Sequence, residues 1–160
     1  MLLVVAAVDE VALSLSFRTT LSDAILVLGE IQGQTAAYIS VELKEGRVQL
    51  RYSFPGLLVT QKIPTLSRVN DGRYHSLQFT VLNGIHLSMP YETCTASDSS
   101  KFDSKGCRYS ESFMMPPKVS MLYIGSNATS RLPRDILFPG PYVGCMRDVE
   151  LNGNWIYPGQ

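Results

Sequence analysis

Apolar and polar residues alternate along much of the chain with a period of two. At positions 11–18, Val11, Leu13, Leu15 and Phe17 are apolar, while Ala12, Ser14, Ser16 and Arg18 between them are small or polar. That spacing puts alternate side chains on opposite faces of an extended backbone, so a half-buried strand is predicted there. A continuous apolar run at 24–28 stops at Gly29. Ile39, Val41 and Leu43 then restore the alternation over 38–43. Lys44-Glu45-Gly46 is a tight turn, and 47–52 answers it with Val48, Leu50 and Tyr52 inward, which makes a hairpin. A weaker strand at 57–63 begins past Pro55-Gly56 and is stopped by Pro64.

After the turn Asn70-Asp71-Gly72, residues 74–82 set Leu77, Phe79 and Val81 against Ser76, Gln78 and Thr80. Asn83-Gly84 returns the chain into a strand at 85–89, a two-residue hairpin signal. Residues 121–124 read as a strand and 126–141 as a polar, proline-bearing loop. The stretch 139–153 opens on turn formers, alternates, and closes on Asn152-Gly153, as a strand ending in a hairpin turn does. The apolar start, 1–8, reads as the first strand of a domain cut from a longer protein; the other reading is the tail of a signal peptide.

Between Pro90 and Pro117 the alternation fails. A structureless run of that length is expected to be a functional loop or to need a staple. A Cys94–Cys107 bridge would close it, contributing about 3 kcal/mol on the loop-entropy account. No long segment carries an apolar stripe at helical spacing, and many short strands separated by turns argue an all-β antiparallel sandwich. With 160 residues the chain suits a single domain, 1–160, with one core.

Composition removes several functions. The 14 basic and 14 acidic residues balance and are mixed along the chain, which leaves no footprint for nucleic acid or an anionic membrane. No apolar run has the roughly 18 residues of a membrane span, so direct membrane insertion is not expected. The three cysteines, Cys94, Cys107 and Cys145, form no Cys-x-x-Cys, and His75 and His86 lack a paired spacing, so no metal cluster is expected.

Six segments in order resemble the laminin G-like family, also called the laminin, neurexin and sex-hormone-binding-globulin domain. They are Leu-Ser-Phe-Arg-Thr-Thr at 15–20, Ile-Leu-Val-Leu after Asp23, and Val-Glu-Leu-Lys-Glu-Gly-Arg-Val-Gln-Leu at 41–50. Asn-Asp-Gly-Arg-Tyr-His-Ser-Leu at 70–77, Leu-Tyr-Ile-Gly-Ser at 122–126 and Tyr-Val-Gly-Cys-Met-Arg-Asp-Val-Glu-Leu-Asn-Gly at 142–153 complete the set. The resemblance implies a jelly-roll sandwich of two curved antiparallel sheets in secreted proteins or receptor ectodomains. It implies binding of proteins or glycans at the rim, often around calcium, and no catalysis.

Three departures matter. The loop after 47–52 is Ser53-Phe54-Pro55-Gly56-Leu57, without the family's carboxylate, and Met114-Met115-Pro116-Pro117-Lys118 precedes the 122–126 segment. Calcium needs several hard oxygen ligands, so no tight site of the family type, and no cofactor, is expected. Cys145 stands where the family keeps half of a disulfide; it pairs back to Cys107 or Cys94, or its partner lies outside this chain. The insert at 90–117 lengthens a region where such domains gain partner specificity.

Candidate site residues follow from these loops. Lys118, Arg131 and Arg134 would form a small basic rim suited to a sulfated glycan, against the plainer reading of scattered charge beside Asp135. Phe113-Met114-Met115 and Ile136-Leu137-Phe138, with Phe113 and Phe138 as anchors, are contact patches or plugs of the sandwich ends. Asn127-Ala128-Thr129 satisfies the N-glycosylation rule. Paired-carboxylate hydrolysis would draw on Glu42 and Glu150, taken as exposed strand positions, or on Asp98, Asp103 and Asp135, none of which cluster. No nucleophile elbow supports His75 or His86 in a triad. The expected function is therefore non-enzymatic: an extracellular recognition module for a cell-surface or matrix protein or a glycan, in adhesion or receptor and matrix assembly. The alternative is a carbohydrate-active or steroid-like ligand module on the same fold.

Overall fold

A computed structural model describes residues 2–6, 10–33, 37–54, 57–63, 65–94, 102–103, 106–113, 117–125 and 142–156. Among them the regular structure is all strand: β1 (Leu2–Ala6), β2 (Val11–Arg18), β3 (Ala24–Ile31), β4 (Tyr38–Lys44), β5 (Arg47–Phe54), β6 (Leu57–Lys62), β7 (His75–Val81), β8 (Gly84–Ser88), β9 (Phe102–Asp103), β10 (Arg108–Ser112), β11 (Val119–Gly125), β12 (Cys145–Leu151) and β13 (Asn154–Trp155). They form a six-stranded sheet in the order β1-β11-β3-β4-β5-β6 and a seven-stranded sheet in the order β13-β12-β2-β7-β8-β10-β9. Neighbouring strands pair antiparallel, and the chain passes between the two sheets at β1–β2, β2–β3, β6–β7, β10–β11 and β11–β12, as in a jelly roll.

The alternation predicted the inward sets well. Val11, Leu13, Leu15 and Phe17 of β2 meet Leu77, Phe79 and Val81 of β7 on one side of the core, and Ile39, Val41, Leu43, Val48, Leu50 and Tyr52 fill the other. The apolar run at 24–28 is explained by a bulge: the β3–β4 register shifts between Ile25 and Val27, so Leu26 and Val27 both face the main core. Ile25 and Leu28 face the other way, into a second apolar cluster with Tyr38 and Tyr123.

Three expectations change. Gly84 is the first residue of β8 and not a turn residue with positive φ; β10 passes so close that a Cβ at Gly84 would lie 2.1 Å from the Glu111 carbonyl oxygen. The insert is not structureless, because β9 and β10 extend the seven-stranded sheet beyond β8. β10 escaped notice because Arg108-Tyr109-Ser110-Glu111-Ser112 buries only Tyr109 fully. Glu42 is not an exposed strand position but is fully buried. Its carboxylate accepts hydrogen bonds from Gln49 Nε2 at 2.6 Å, Ser40 Oγ at 3.2 Å and Arg51 Nε at 3.0 Å, with Arg51 Nη2 also in contact. A buried carboxylate is tolerable only with such compensation, which removes Glu42 from any paired-acid site.

Candidate recognition surface

The two sheets differ in what covers them. On β3, β4 and the start of β5 in the six-stranded sheet, positions facing away from the core are themselves buried, including Ile25, Leu28, Tyr38, Ser40, Glu42 and Gln49, while the outward residues of β6, Leu58, Thr60 and Lys62, are exposed. On the seven-stranded sheet the corresponding positions are polar and open to solvent: Gln78, His86 and Ser110 are exposed, and Ser14, Thr80 and Glu150 are half-exposed. This face and the end of the sandwich beside it offer an open polar surface.

At that end, β2 finishes, β7 begins and β12 begins. The guanidinium carbon of Arg147 lies 3.8 Å from the centroid of the Tyr74 ring and that of Arg18 lies 5.0 Å from it, so two cations share one aromatic. A bulge in β12 makes this possible. The register against β2 shifts between Arg147 and Glu150, and Asp148 takes φ 54°, a left-handed conformation that Asp adopts more readily than most residues. Arg147 and Asp148 are therefore both exposed while Val149 returns to the core. Arg18 Nη2 also donates to Cys145 Sγ at 3.4 Å.

Tyr142 and Gly144 hold the start of β12 against β2. The Tyr142 hydroxyl lies 2.9 Å from the Arg18 carbonyl oxygen and 2.7 Å from that of Cys145, and it accepts from the Arg18 N–H at 3.3 Å. Burial pushes the Tyr142 hydroxyl up to about 12, so it keeps its donor proton at neutral pH. A Cβ at Gly144 would meet the Arg18 carbonyl oxygen at 2.2 Å, which explains the glycine before Cys145.

The same end gathers acids from distant parts of the chain. His75 Nε2 is 2.8 Å from Asp71 Oδ1, and its Nδ1 is 2.5 Å from Glu92 Oε1. Burial opposes charge on the imidazole, but the hydrogen bonds to Asp71 and Glu92 outweigh it and raise the pKa. Asp71 also accepts from the Arg73 N–H at 3.0 Å. Asp23 accepts from the Glu45 N–H at 3.1 Å and faces Lys44 at 3.8 Å, while Glu45 pairs with Lys62 at 3.1 Å. These carboxylates are each held by a cation or an N–H, and no group of three His, Cys, Asp or Glu among the described residues is placed to hold a metal ion.

Residues 17–154 match the family model described as Laminin G domain. This chain belongs to the laminin G domain family. It is 34% identical over 68 residues to the zebrafish (Danio rerio) protein Neurexin-3b-beta, across 42% of this chain and 10% of that protein. Among solved structures it resembles domains LG4-5 of the mouse laminin alpha1 chain, with a TM-score of 0.69 at 17% identity over 99% of this chain and 41% of that one. The LG1-3 region of the laminin alpha2 chain gives a TM-score of 0.67 at 18% identity, over 97% of this chain and 30% of that one. The structural likenesses establish the jelly-roll fold. The laminin G domain thus spans about a tenth of the length of its curated relative.

In this laminin G domain Cys94 and Cys107 are joined, and Cys145 is an exposed free thiol, so Cys145 does not pair back to either. Phe113 is half-buried, edge-on to Tyr52 at 5.7 Å and 87°, and plugs the core instead of forming an exposed patch. Its N–H donates to the Asn83 carbonyl at the far end of β7 from His75. Lys118 is exposed, with its carbonyl accepting from the Gln32 N–H just past β3. Both residues therefore sit at the end of the sandwich opposite Arg18 and Tyr74. Asn127, Arg131, Arg134 and Phe138, with Asp98 and Asp135, lie outside the described residues. Glu150 is on the open face. The cluster of Arg18, Tyr74 and Arg147 was missed because its members come from β2, the residue before β7, and β12. Its one sequence signal was the outward phase of β2, which had marked Arg18.

Proposed function

We propose that this laminin G domain is an extracellular recognition module of a longer, multidomain protein, binding a cell-surface or matrix protein or a glycan through its rim, in adhesion or receptor and matrix assembly. The observation that carries this reading is the exposed pair Arg18 and Arg147 on Tyr74 at one end of the sandwich. Guanidinium groups beside an aromatic offer forked donors to a carboxylate or sulfate and a flat surface for packing. Laminin G domains are generally non-enzymatic binding modules. The Cys94–Cys107 disulfide suits an oxidising compartment. The space between the sheets is filled by Phe17, Phe79, Tyr52, Tyr109 and aliphatic side chains, which favours a surface ligand over a steroid-like one held inside.

Under this reading Arg131, Arg134 and Phe138 add to the binding loops, Lys118 stands apart at the opposite end, Asn127 carries a glycan, and binding needs no calcium. The test is retention of the secreted domain on heparin and on cell-surface proteins, with and without chelator. Replacing Arg18 and Arg147 together by Gln is expected to weaken binding by about tenfold, or ~1.4 kcal/mol. Replacing Arg131 and Arg134 should weaken it further, and Asn127→Gln should lower the secreted mass. Unchanged retention in both arginine double variants would refute the rim, an unchanged mass would refute the glycan, and a micromolar calcium site in calorimetry would refute calcium independence.

A further inference from the structure

The open face of the seven-stranded sheet carries a groove of about 360 Å³, apart from the arginine pair. Ser14, Gln78, Thr80 and Glu150 line it, and the small residues Ala12 and Gly153 keep it open. Register explains the grouping. Glu150 pairs with Ser14, Ser14 with Gln78, and Ala12 with Thr80, so these side chains stand on the same face in adjacent rows across β12, β2 and β7. Glu150 also pairs with Trp155 of β13, which puts the indole, 56% exposed, at the end of the same row.

The polar groups in this groove differ from those around it. One row away, Ser16 and Ser76 bond to each other at 2.8 Å, and beyond Thr80, His86 Nδ1 bonds to Ser110 at 2.6 Å. The side chains of Ser14, Gln78, Thr80 and Glu150 make no hydrogen bond to any described residue. A set of two hydroxyls, a primary amide and a carboxylate thus points outward with its hydrogen-bonding capacity free, beside a flat aromatic. Hydroxyls and amide both donate and accept, and a carboxylate accepts from two adjacent O–H groups. An indole packs against the C–H face of a ring while its neighbours reach the ring's polar edge. The one ionised group lining the groove is an acid, which disfavours sulfate or phosphate.

We propose that this groove binds an uncharged oligosaccharide laid across the strands, one pyranose ring stacked on Trp155 beside Glu150 and the next with its hydroxyls on Ser14, Gln78 and Thr80, since the row crosses three inter-strand spacings of ~4.8 Å. The site lies one row from Arg147 but shares no residue with the arginine pair, so its failure leaves the arginine-based reading untouched. Trp155 is the chain's single tryptophan and supplies its own signal. Titrating the full 160-residue chain with cellotetraose, maltotetraose and mannotetraose is expected to give a saturable change in tryptophan emission with at least one of them. That binding should be insensitive to salt, and Glu150→Gln and Gln78→Ala should each weaken it about tenfold without lowering the melting temperature. It should persist when Arg18 and Arg147 are replaced. No saturable change up to ~20 mM of any of the three, about twentyfold above a 1 mM dissociation constant, would overturn the proposal. Equal affinity in both groove variants, or loss of binding on replacing the arginines alone, would overturn it as well.

Discussion

His75 draws carboxylates from two separate parts of the chain, Asp71 in the turn before β7 and Glu92 in the strap that leads to Cys94, and its ring lies 6.0 Å from that of Phe17. Because its folded pKa is raised, the clasp stabilises the fold fully below the unfolded value of about 6.5 and loses that contribution as pH rises through the folded value. Asp71 works in the opposite sense. Burial opposes its charge, but the His75 and Arg73 hydrogen bonds lower its pKa, so its contribution is present above the unfolded value near 3.8 and is lost as pH falls through the folded one. Urea melts from pH 5 to 9 should therefore show stability declining once pH passes the unfolded value of about 6.5 and rises through the folded one, and His75→Gln should flatten that decline. A wild-type slope unchanged in the variant would contradict the assignment. The sequence offered His75 neither a metal spacing nor a triad context, and its two partners, 4 and 17 residues away, meet it only on folding.

Local chemistry decided most strands and placed the β7–β8 hairpin correctly, but mistook the role of its glycine. Glu45 and Gly46, with φ 55° and 79°, make the turn that joins β4 to β5, and Asn152 and Gly153, at 51° and 82°, join β12 to β13 in the same way. Such turns need positive φ at both central residues, so they are readable from the sequence. Asn83-Gly84 carries the same letters for another reason, the close passage of β10 over Gly84. Gly84→Ala is accordingly expected to cost about 1–3 kcal/mol through overpacking against backbone. A urea midpoint within error of wild type would refute it. β10 was illegible because a strand with one face in solvent and one large inward residue, Tyr109, shows almost no periodic signal.

For the molecule as a whole, the Cys94–Cys107 bond ties the strap carrying Glu92 to the start of β10, and the Met89 N–H bonds the Cys107 carbonyl at 3.0 Å beside it. Its 13-residue separation puts the loop-entropy contribution at about 3 kcal/mol. Cys94→Ser with Cys107→Ser should lower unfolding free energy by roughly that amount, and peptide mapping without reductant should recover the two cysteines linked. Labelling of the native chain should modify Cys145 alone. A Cys145-containing link to either cysteine would overturn the arrangement.

The alternation and turn residues by themselves determined an antiparallel sandwich, the inward side chains of its long strands and, through six ordered segments, the family. These are local properties, set by a two-residue period and by φ preferences. Only the tertiary structure decided which polar phase remains in water. Glu42 and Gln78 occupy equivalent outward positions in their strands, yet one is buried under three donor side chains and the other faces solvent. The Arg18–Tyr74–Arg147 cluster and the Trp155–Glu150–Ser14–Gln78 row likewise exist only through cross-strand register, which joins residues far apart in the chain.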